Sequence, residues 1–280
     1  MNIQFYQPAP PLHQFIDCLW YVDLQVPYTR EKILPSGTIE LMINFGSPHR
    51  KYNQTESAYD LMQSSWVAGF QTEFIVNEPV AETCMMGVRF KPGGAYPFLH
   101  LPISEITNFV IDLDCIWGAY AHELRERLLE AQSIEQKFAV LEQQLLKRLN
   151  HDKLRQPIVQ FAINGIYTSN GTLSLKALCQ DIGISQKHLI THFKRKVGVS
   201  PKQMSRVIRF QKVLNEINPG TPIDWRAIAY ACEYYDQSHF NHDFSAFTGM
   251  APSEYVIFRQ TLHQAPPEQG ADVHFVPIIG

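Results

Sequence analysis

Two short segments in the C-terminal half carry side chains whose hydrogen-bonding groups suit the edges of base pairs. In the first segment, Lys187 can donate to O6 or N7 of guanine, and Ile190 and the methyl group of Thr191 can contact the thymine methyl. In the second, Gln237 and Asn241 offer the paired donor and acceptor that fit adenine. Such contacts require side chains that project from an element able to enter the major groove, as an α-helix does.

A larger polar set lies outward on the two helices predicted for these segments, or follows them closely. The candidate DNA-contacting residues are Gln186, Lys187, Ile190, Thr191, Lys194, Arg195, Arg206, Arg209, Gln237, Ser238, His239, Asn241 and His242. Lys194, Arg195, Arg206 and Arg209 are better placed for phosphates than for bases. The alternative for each residue is a solvated polar side chain. For Arg209 a further alternative is an internal pair with a carboxylate.

Both segments belong to one pattern that occurs twice, 51 residues apart. From a polar start residue, a large apolar residue follows at +4, Phe at +8, Gly at +13 and Pro at +16 in both copies. The matched pairs are Ser185 and Asp236, Leu189 and Phe240, Phe193 and Phe244, Gly198 and Gly249, and Pro201 and Pro252. A repeat that includes its start and stop residues indicates one supersecondary unit built twice.

Each copy has the signals of a helix preceded by a shorter one. Ser185 and Asp236 are suitable N-caps, and the preceding Ile184 and Tyr235 have the spacing of a hydrophobic staple with the apolar residue at N4. Upstream, 175–182 and 225–232 predict short helices, the first ending at Gly183. Two helices joined by a tight turn form a helix-turn-helix unit, the alternative being a generic helical pair in an all-α core.

The register of the second copy changes in its turn. Leu178 corresponds to Ile228 and Gly183 to Glu233 at an offset of 50, whereas the offset is 51 from the caps onward. The second turn is therefore one residue longer and lacks the glycine. We expect Glu233 to adopt a less favourable backbone conformation or a different turn, with the recognition helix presented at a different angle.

The segment from Leu175 to Arg259 resembles the paired helix-turn-helix domain of AraC/XylS transcription regulators. The resemblance rests on 177–179 through Gly183, 193–194, 198–201, Arg209, 228–229, 234–240, Phe244 and 249–255. It implies two units joined by one long helix, here from about Pro201 to Asn215. It also implies that the two recognition helices enter neighbouring major-groove segments on one face of the DNA.

Charge and length suggest separate domains. Residues 1–150 hold 11 Lys and Arg against 17 Asp and Glu, a net charge of −6, and the remainder hold 13 against 10, or +3. We predict a sensing and dimerisation domain at 1–150, a DNA-binding domain at 151–262 and a tail at 263–280. Neither an apolar stretch of about 18 residues nor a secretion signal is evident, and no two of the five cysteines have C-x-x-C spacing. We therefore expect a cytoplasmic protein with reduced thiols and no membrane partner.

The pattern of the N-terminal part predicts short strands followed by helices. Together with the helical C-terminal half, this predicts an α+β fold. Apolar or alternating runs at 39–45, 65–69, 74–77 and 82–90 predict a small β-barrel or sandwich, and 91–94 predicts a turn. Helices are predicted at 120–131 and 134–149, the second with a capping box from Ser133 and Gln136. Residues 35–94 resemble the cupin-like sensor domains of some of these regulators, a looser likeness than the first.

The residues that could do chemistry in this domain are scattered. His13, His49, His100 and His122 form no His-x-His pair, and Glu40 stands alone, so no metal site is predicted. The dispersed Cys18, Cys84 and Cys115 do not suggest a zinc-bound acceptor cysteine. We therefore expect no catalytic residue and no cofactor. An aromatic-rich interior favours an apolar pocket for a small molecule, with lining residues that the sequence does not identify.

An apolar stripe precedes the DNA-binding half, formed by Ile134, Phe138, Leu141, Leu145 and Leu149. A helix with one apolar face must bury it, either against its own domain or against the same helix of a second chain. The second arrangement predicts a homodimer, and both alternatives stay open from the sequence.

These observations favour a sequence-specific DNA-binding transcription regulator that responds to a small-molecule effector. As an activator it would also contact RNA polymerase. The alternative is a cupin-type enzyme fused to a DNA-binding module, which the absence of clustered metal ligands disfavours.

Overall fold

The protein is described from a computed structural model that covers residues 2–26, 28–80, 82–154, 157–218, 222–263 and 275–278. The N-terminal part is built on two antiparallel sheets, and the C-terminal part is helical. The α+β class and the two-part organisation predicted from the sequence are confirmed. Among the described residues, no helix has both the length and the apolar composition needed to cross a membrane.

The strands among the described residues are β1 (Asn2–Tyr6), β2 (Ile16–Gln25), β3 (Arg30–Ile33), β4 (Ile39–Asn44), β5 (His49–Tyr52), β6 (Tyr59–Met62), β7 (Ser65–Ala68), β8 (Ile75–Glu78), β9 (Glu82–Phe90), β10 (Val110–Asp112) and β11 (Phe275–Ile278). One sheet has six of these strands in the order β1-β2-β9-β4-β7-β10, and the other has five in the order β11-β3-β8-β5-β6. The four predicted strands are confirmed as β4, β7, β8 and β9.

Side chains from the two sheets meet in a small apolar cluster. Met62 on the five-stranded sheet clusters with Trp66 and Met85 on the six-stranded sheet, and Trp20 packs against this cluster. Trp20 lies over Gly87, where an added Cβ would stand 2.2 Å from the indole ring. The opposite face of the six-stranded sheet joins the main hydrophobic core.

Four helices accompany the sheets: α1 (Tyr96–Leu99), α2 (Asp114–Trp117), α3 (Ala119–Glu130) and α4 (Ile134–Arg148). Ser133 caps α4 as predicted, by accepting a hydrogen bond from the Gln136 amide. The other half of the predicted capping box differs, because the Gln136 side chain accepts from the amide of Gln132.

The apolar stripe of α4 is buried within its own domain. Phe138, Leu141, Leu145 and Leu149 are at most 5% exposed, and the Phe138 ring stacks on Tyr6 with 5.3 Å between centroids. Of the two alternatives for this stripe, the structure shows burial inside the chain. The predicted use of the stripe as a dimer interface is therefore wrong, because its apolar surface is already covered.

Seven further helices form the C-terminal part: α5 (Pro157–Thr168), α6 (Leu175–Ile182), α7 (Gln186–Val197), α8 (Pro201–Glu216), α9 (Trp225–Ala231), α10 (Gln237–Thr248) and α11 (Pro252–His263). The linking helix α8 starts at Pro201, as predicted, and ends one residue beyond Asn215. Ser200 and Gln203 form a capping box at its start, which fixes the turn between α7 and α8.

The two parts contact each other at several points. Thr107 Oγ1 donates to the carbonyl of Gly198 at 2.9 Å, and Lys32 Nζ donates to the carbonyl of Thr248 at 3.3 Å. The side-chain amide of Gln211 also donates to the Pro35 carbonyl.

The end of the chain returns to the N-terminal part. Strand β11 pairs antiparallel with β3, with Val276 opposite Lys32. The described end of the tail predicted at 263–280 is therefore docked on the N-terminal part. Residues 264–274 and 279–280 of that tail lie outside the described residues.

Candidate nucleic-acid interface

The first helix-turn-helix unit consists of α6 and α7. Ser185 caps α7 through a hydrogen bond from the amide of His188 at 3.2 Å, as the sequence predicts. Gly183 ends α6 in the left-handed conformation, with φ of 75°. Leu189 and Phe193 are fully buried, so the opposite side of α7 faces the solvent.

The second unit consists of α9 and α10 and uses the same type of cap. The Asp236 carboxylate accepts from the amide of His239 at 2.7 Å. Glu233 occupies the place of the turn glycine with φ of 56°, so the less favourable conformation expected for it is confirmed.

The hydrophobic staple predicted for the second unit names one wrong residue. Tyr235 was expected to pack on Phe240, but Tyr235 is 93% exposed. Tyr234 is buried instead, and its ring meets that of Phe240 with 5.5 Å between centroids. The extra residue in the turn therefore moves the staple one position upstream.

Most of the predicted base-contacting residues lie on the exposed faces of the two recognition helices. Among them only Ile190 is half-buried. The exposed ones are Gln186, Lys187, Thr191 and Lys194 on α7, and Gln237, Ser238, His239, Asn241 and His242 on α10. Arg195 is exposed as well. Each unit thus presents a polar helix face opposite its buried stripe.

Arg206 is engaged inside the domain. Its Nη2 lies 2.5 Å from Oδ1 of Asp243, and its Nε donates to Oδ2 at 3.3 Å. The Asp243 side chain is only 2% exposed, and His239 and His242 come within 3.8 and 3.7 Å of its oxygens. Arg206 therefore joins the linking helix to the second recognition helix.

Arg209 also makes internal contacts. Its Nη2 donates to the carbonyl of Gly171 at 3.0 Å, and its guanidinium lies 5.2 Å from the centroid of the Tyr234 ring. Arg209 therefore braces the linking helix, which is the second role predicted for it. Its partners are a backbone carbonyl and an aromatic ring, whereas the predicted partner was a carboxylate. The two arginines hold the units together across α8.

Two histidines lie side by side on α7. The rings of His188 and His192 are 4.3 Å apart between centroids. Partial burial and the neighbouring positive charges of His188, Lys196 and Arg195 lower the pKa of His192.

Two described polar atoms beside the cluster of Met62, Trp66 and Met85 are buried without protein partners. Among the described residues, Trp20 Nε1 and His49 Nε2 are buried and make no hydrogen bond. The His49 ring lies 5.7 Å from that of Trp66. Glu31 is buried as well, and it accepts hydrogen bonds from Tyr28 and Asn77. No cluster of three metal-ligating side chains occurs in the described ranges.

Acidification should destabilise the fold through His49. Burial lowers the pKa of His49 to about 4, so between its ordinary value near 6.5 and that value the unfolded chain binds a proton that the folded chain does not. The free energy of unfolding should therefore be about 2 kcal/mol lower at pH 5 than at pH 7.5 from this residue alone. Urea unfolding at both pH values checks it.

The matched variant for this measurement is His49→Gln, which cannot titrate. Burial raises the pKa of Glu31, and that shift acts in the opposite direction on acidification. The difference between the wild-type and His49→Gln pH slopes isolates the histidine. Equal slopes would show that the pKa of His49 is the same in the folded and the unfolded chain.

Two family models match the chain. Residues 4–112 match a domain of unknown function (DUF6597), and residues 178–256 match a helix-turn-helix domain. The second match spans both capped units and the linking helix between them. The described helices α7–α10 and the C-terminal part of α6 therefore lie within a matched helix-turn-helix domain. No curated protein matches the chain.

The solved structures that are similar to this chain share a low overall similarity with it. ToxT from Vibrio cholerae O395, bound to (E)-4-(8-methylnaphthalen-1-yl)but-3-enoic acid, is 12% identical over 92% of this chain and 99% of its own, with a TM-score of 0.45. The C-terminal domain of AraT, a response regulator from Geobacillus stearothermophilus, is 25% identical over 36% of this chain and 85% of its own (TM-score 0.34). A probable AraC family transcriptional regulator from Rhodopseudomonas palustris CGA009 is 25% identical over 38% and 98% (TM-score 0.34).

Proposed function

We propose that this chain is a transcription regulator that reads a specific double-stranded DNA sequence with α7 and α10. The observation that carries the proposal is the presence of two equivalently capped helices, each with a buried apolar stripe and an exposed polar face. Lys187 and Thr191 on the first, and Gln237 and Asn241 on the second, supply the base contacts. Lys194 and Arg195 supply phosphate contacts, while Arg206 and Arg209 act mainly by fixing the two units relative to each other.

The test is DNA binding by the purified chain to a site selected from a random pool. Two half-sites should emerge about 10 base pairs apart, one helical turn, on one face of the duplex. Lys187→Ala and Gln237→Ala should each lose about 1–3 kcal/mol and relax the preference in one half-site only. Fluorescence anisotropy with single-base variants of the site measures both effects.

Arg195→Ala serves as the matched control, because it removes a charge and no base contact. It should weaken binding to all sequences alike and lower the slope of log affinity against log salt by about one. If Lys187→Ala weakened specific and random DNA equally, α7 would not be a reading helix. Absence of any DNA binding by the wild type would contradict the proposed function itself.

We further propose that a small molecule bound in the N-terminal domain controls the regulator. The support is the pair of buried atoms without hydrogen-bond partners, Trp20 Nε1 and His49 Nε2, beside the cluster of Met62, Trp66 and Met85. A small apolar ligand with one or two hydrogen-bonding groups fits this chemistry. Mass spectrometry of molecules released on denaturing the purified protein tests it, and their absence from every preparation would count against it.

The remaining elements of the proposal follow from this role. The chain acts in the cytoplasm, with domains at 1–150 and 151–262, and with RNA polymerase as a partner if it activates transcription. A homodimer stays a prediction, and it requires a surface other than the buried stripe of α4. The alternative, a cupin-type enzyme fused to a DNA-binding module, predicts a bound metal, which elemental analysis of the purified protein would detect.

A further inference from the structure

Tyr235 is an aromatic residue whose exposure has no counterpart in the first unit. It stands directly before Asp236, the cap of α10, and is 93% exposed. The residue directly before the cap of α7 is Ile184, which is half-buried and packs against the core. A large aromatic side chain thus stands in solvent at the start of the second recognition helix only.

Backbone hydrogen bonds show why the two turns differ. The amide of Ile184 donates to the carbonyl of Cys179 at 3.1 Å, and the amide of Tyr234 donates to that of Ala229 at 2.9 Å. Tyr234 is therefore the structural equivalent of Ile184, which explains why it is buried. Tyr235 is the inserted residue, and the fold of the unit does not use its ring.

The position of Tyr235 relates it to the groove that α10 would enter. The next exposed residues along the chain after the cap are Gln237 and Ser238, which belong to the predicted base-reading set. The phosphate backbone borders the groove on either side of such residues, and tyrosine is among the side chains that donate hydrogen bonds to phosphate oxygens.

We propose that Tyr235 is an additional DNA contact of the second unit, with its hydroxyl donating to a phosphate beside the second half-site and its ring lying against the deoxyribose. This inference rests on the proposed function. It makes the two units unequal, because the second gains a backbone contact that the first lacks. The inserted turn residue thereby strengthens binding at one half of the site.

The test compares the wild type with Tyr235→Ala and Tyr235→Phe, using DNA selected by the wild type and the same DNA with its second half-site scrambled. Tyr235→Ala should bind the intact site about tenfold more weakly, and Tyr235→Phe, which keeps the ring, about threefold more weakly. Because a phosphate contact carries no base information, both variants should show similar losses on the scrambled DNA. Unfolding temperatures should be unchanged, since the side chain is exposed.

Tyr230→Ala is the matched control, because Tyr230 is 86% exposed and belongs to α9 of the same unit. It should bind as the wild type does. Wild-type affinity of Tyr235→Ala for the intact site would overturn the inference, as would a loss confined to the intact site, which would indicate a base contact, or an equal loss for Tyr230→Ala. Unchanged DNA binding with reduced transcription would also overturn it, in favour of a protein partner. Failure of the wild type to bind DNA would instead contradict the proposed function.

Discussion

Gly171→Ala should lower the free energy of unfolding by about 3–4 kcal/mol. Gly171 lies in the turn between α5 and α6, with φ of 80°, and an added Cβ would stand 2.2 Å from the carbonyl oxygen of Ser205 in α8. Because that atom belongs to a helix backbone, relief requires moving α8 away from the first unit. The left-handed conformation adds strain of its own for any residue with a Cβ. Urea unfolding measures the change.

Gly183→Ala is the control for this prediction. Gly183 has nearly the same backbone conformation, with φ of 75°, but nothing lies within 4 Å of the added Cβ. It should therefore show the conformational strain alone, about 1 kcal/mol. Similar losses for the two variants would mean that the close approach of the turn to α8 contributes nothing.

Arg206→Met should destabilise the C-terminal part more than Asp243→Asn does. Removing the guanidinium leaves a carboxylate that is 2% exposed without its bidentate partner, whereas removing the carboxylate leaves an arginine that water can reach. We expect a loss of about 3 kcal/mol for Arg206→Met and about 1–2 kcal/mol for Asp243→Asn. Thermal unfolding of the two variants shows the asymmetry.

The double variant Arg206→Met/Asp243→Asn distinguishes the contribution of the ion pair from that of the surrounding contacts. If the loss in Arg206→Met comes from the unpaired carboxylate, adding Asp243→Asn should restore part of the stability. Additive losses would show that Arg206 stabilises the helices through its stem alone. Arg195→Ala, an exposed arginine on α7, should leave the unfolding free energy within about 0.5 kcal/mol of the wild type.

Much of the fold is predictable from local patterns in the sequence. The caps Ser185 and Asp236 and the buried phenylalanines of each unit lie where their spacing predicts, because both depend on residues only three to eight positions apart. Strand β9 was predictable from its apolar run. Strand β5 was not, because His49–Tyr52 is polar on both faces. Contacts distant in sequence hold it, including the hydrogen bond from the Tyr52 hydroxyl to Glu78 at 2.7 Å.

The sequence predicts the parts of the candidate site that depend on helix geometry. It does not predict the parts that depend on contacts between residues far apart in the chain. The exposed residues of α7 and α10 follow from the buried stripe on each helix. The partner of Arg206 lies 37 residues away, beyond any local pattern. One signal existed, since Asp243 falls on the apolar side of α10 between Phe240 and Phe244, and a carboxylate there needs a cation. The offset of 50 before the cap was likewise the sign that Tyr234, not Tyr235, packs on Phe240.

The pairing of β11 with β3 has a consequence for the order in which the chain can fold during synthesis. The helical part lies between two segments of the same β-structure, so it is a long insertion in that sheet. The strands up to β10 are available early, but the five-stranded sheet gains its last edge only after residues 275–278 have left the ribosome. Until then the backbone groups of β3 that bond to β11 stay open to other strands, an aggregation hazard for the nascent chain.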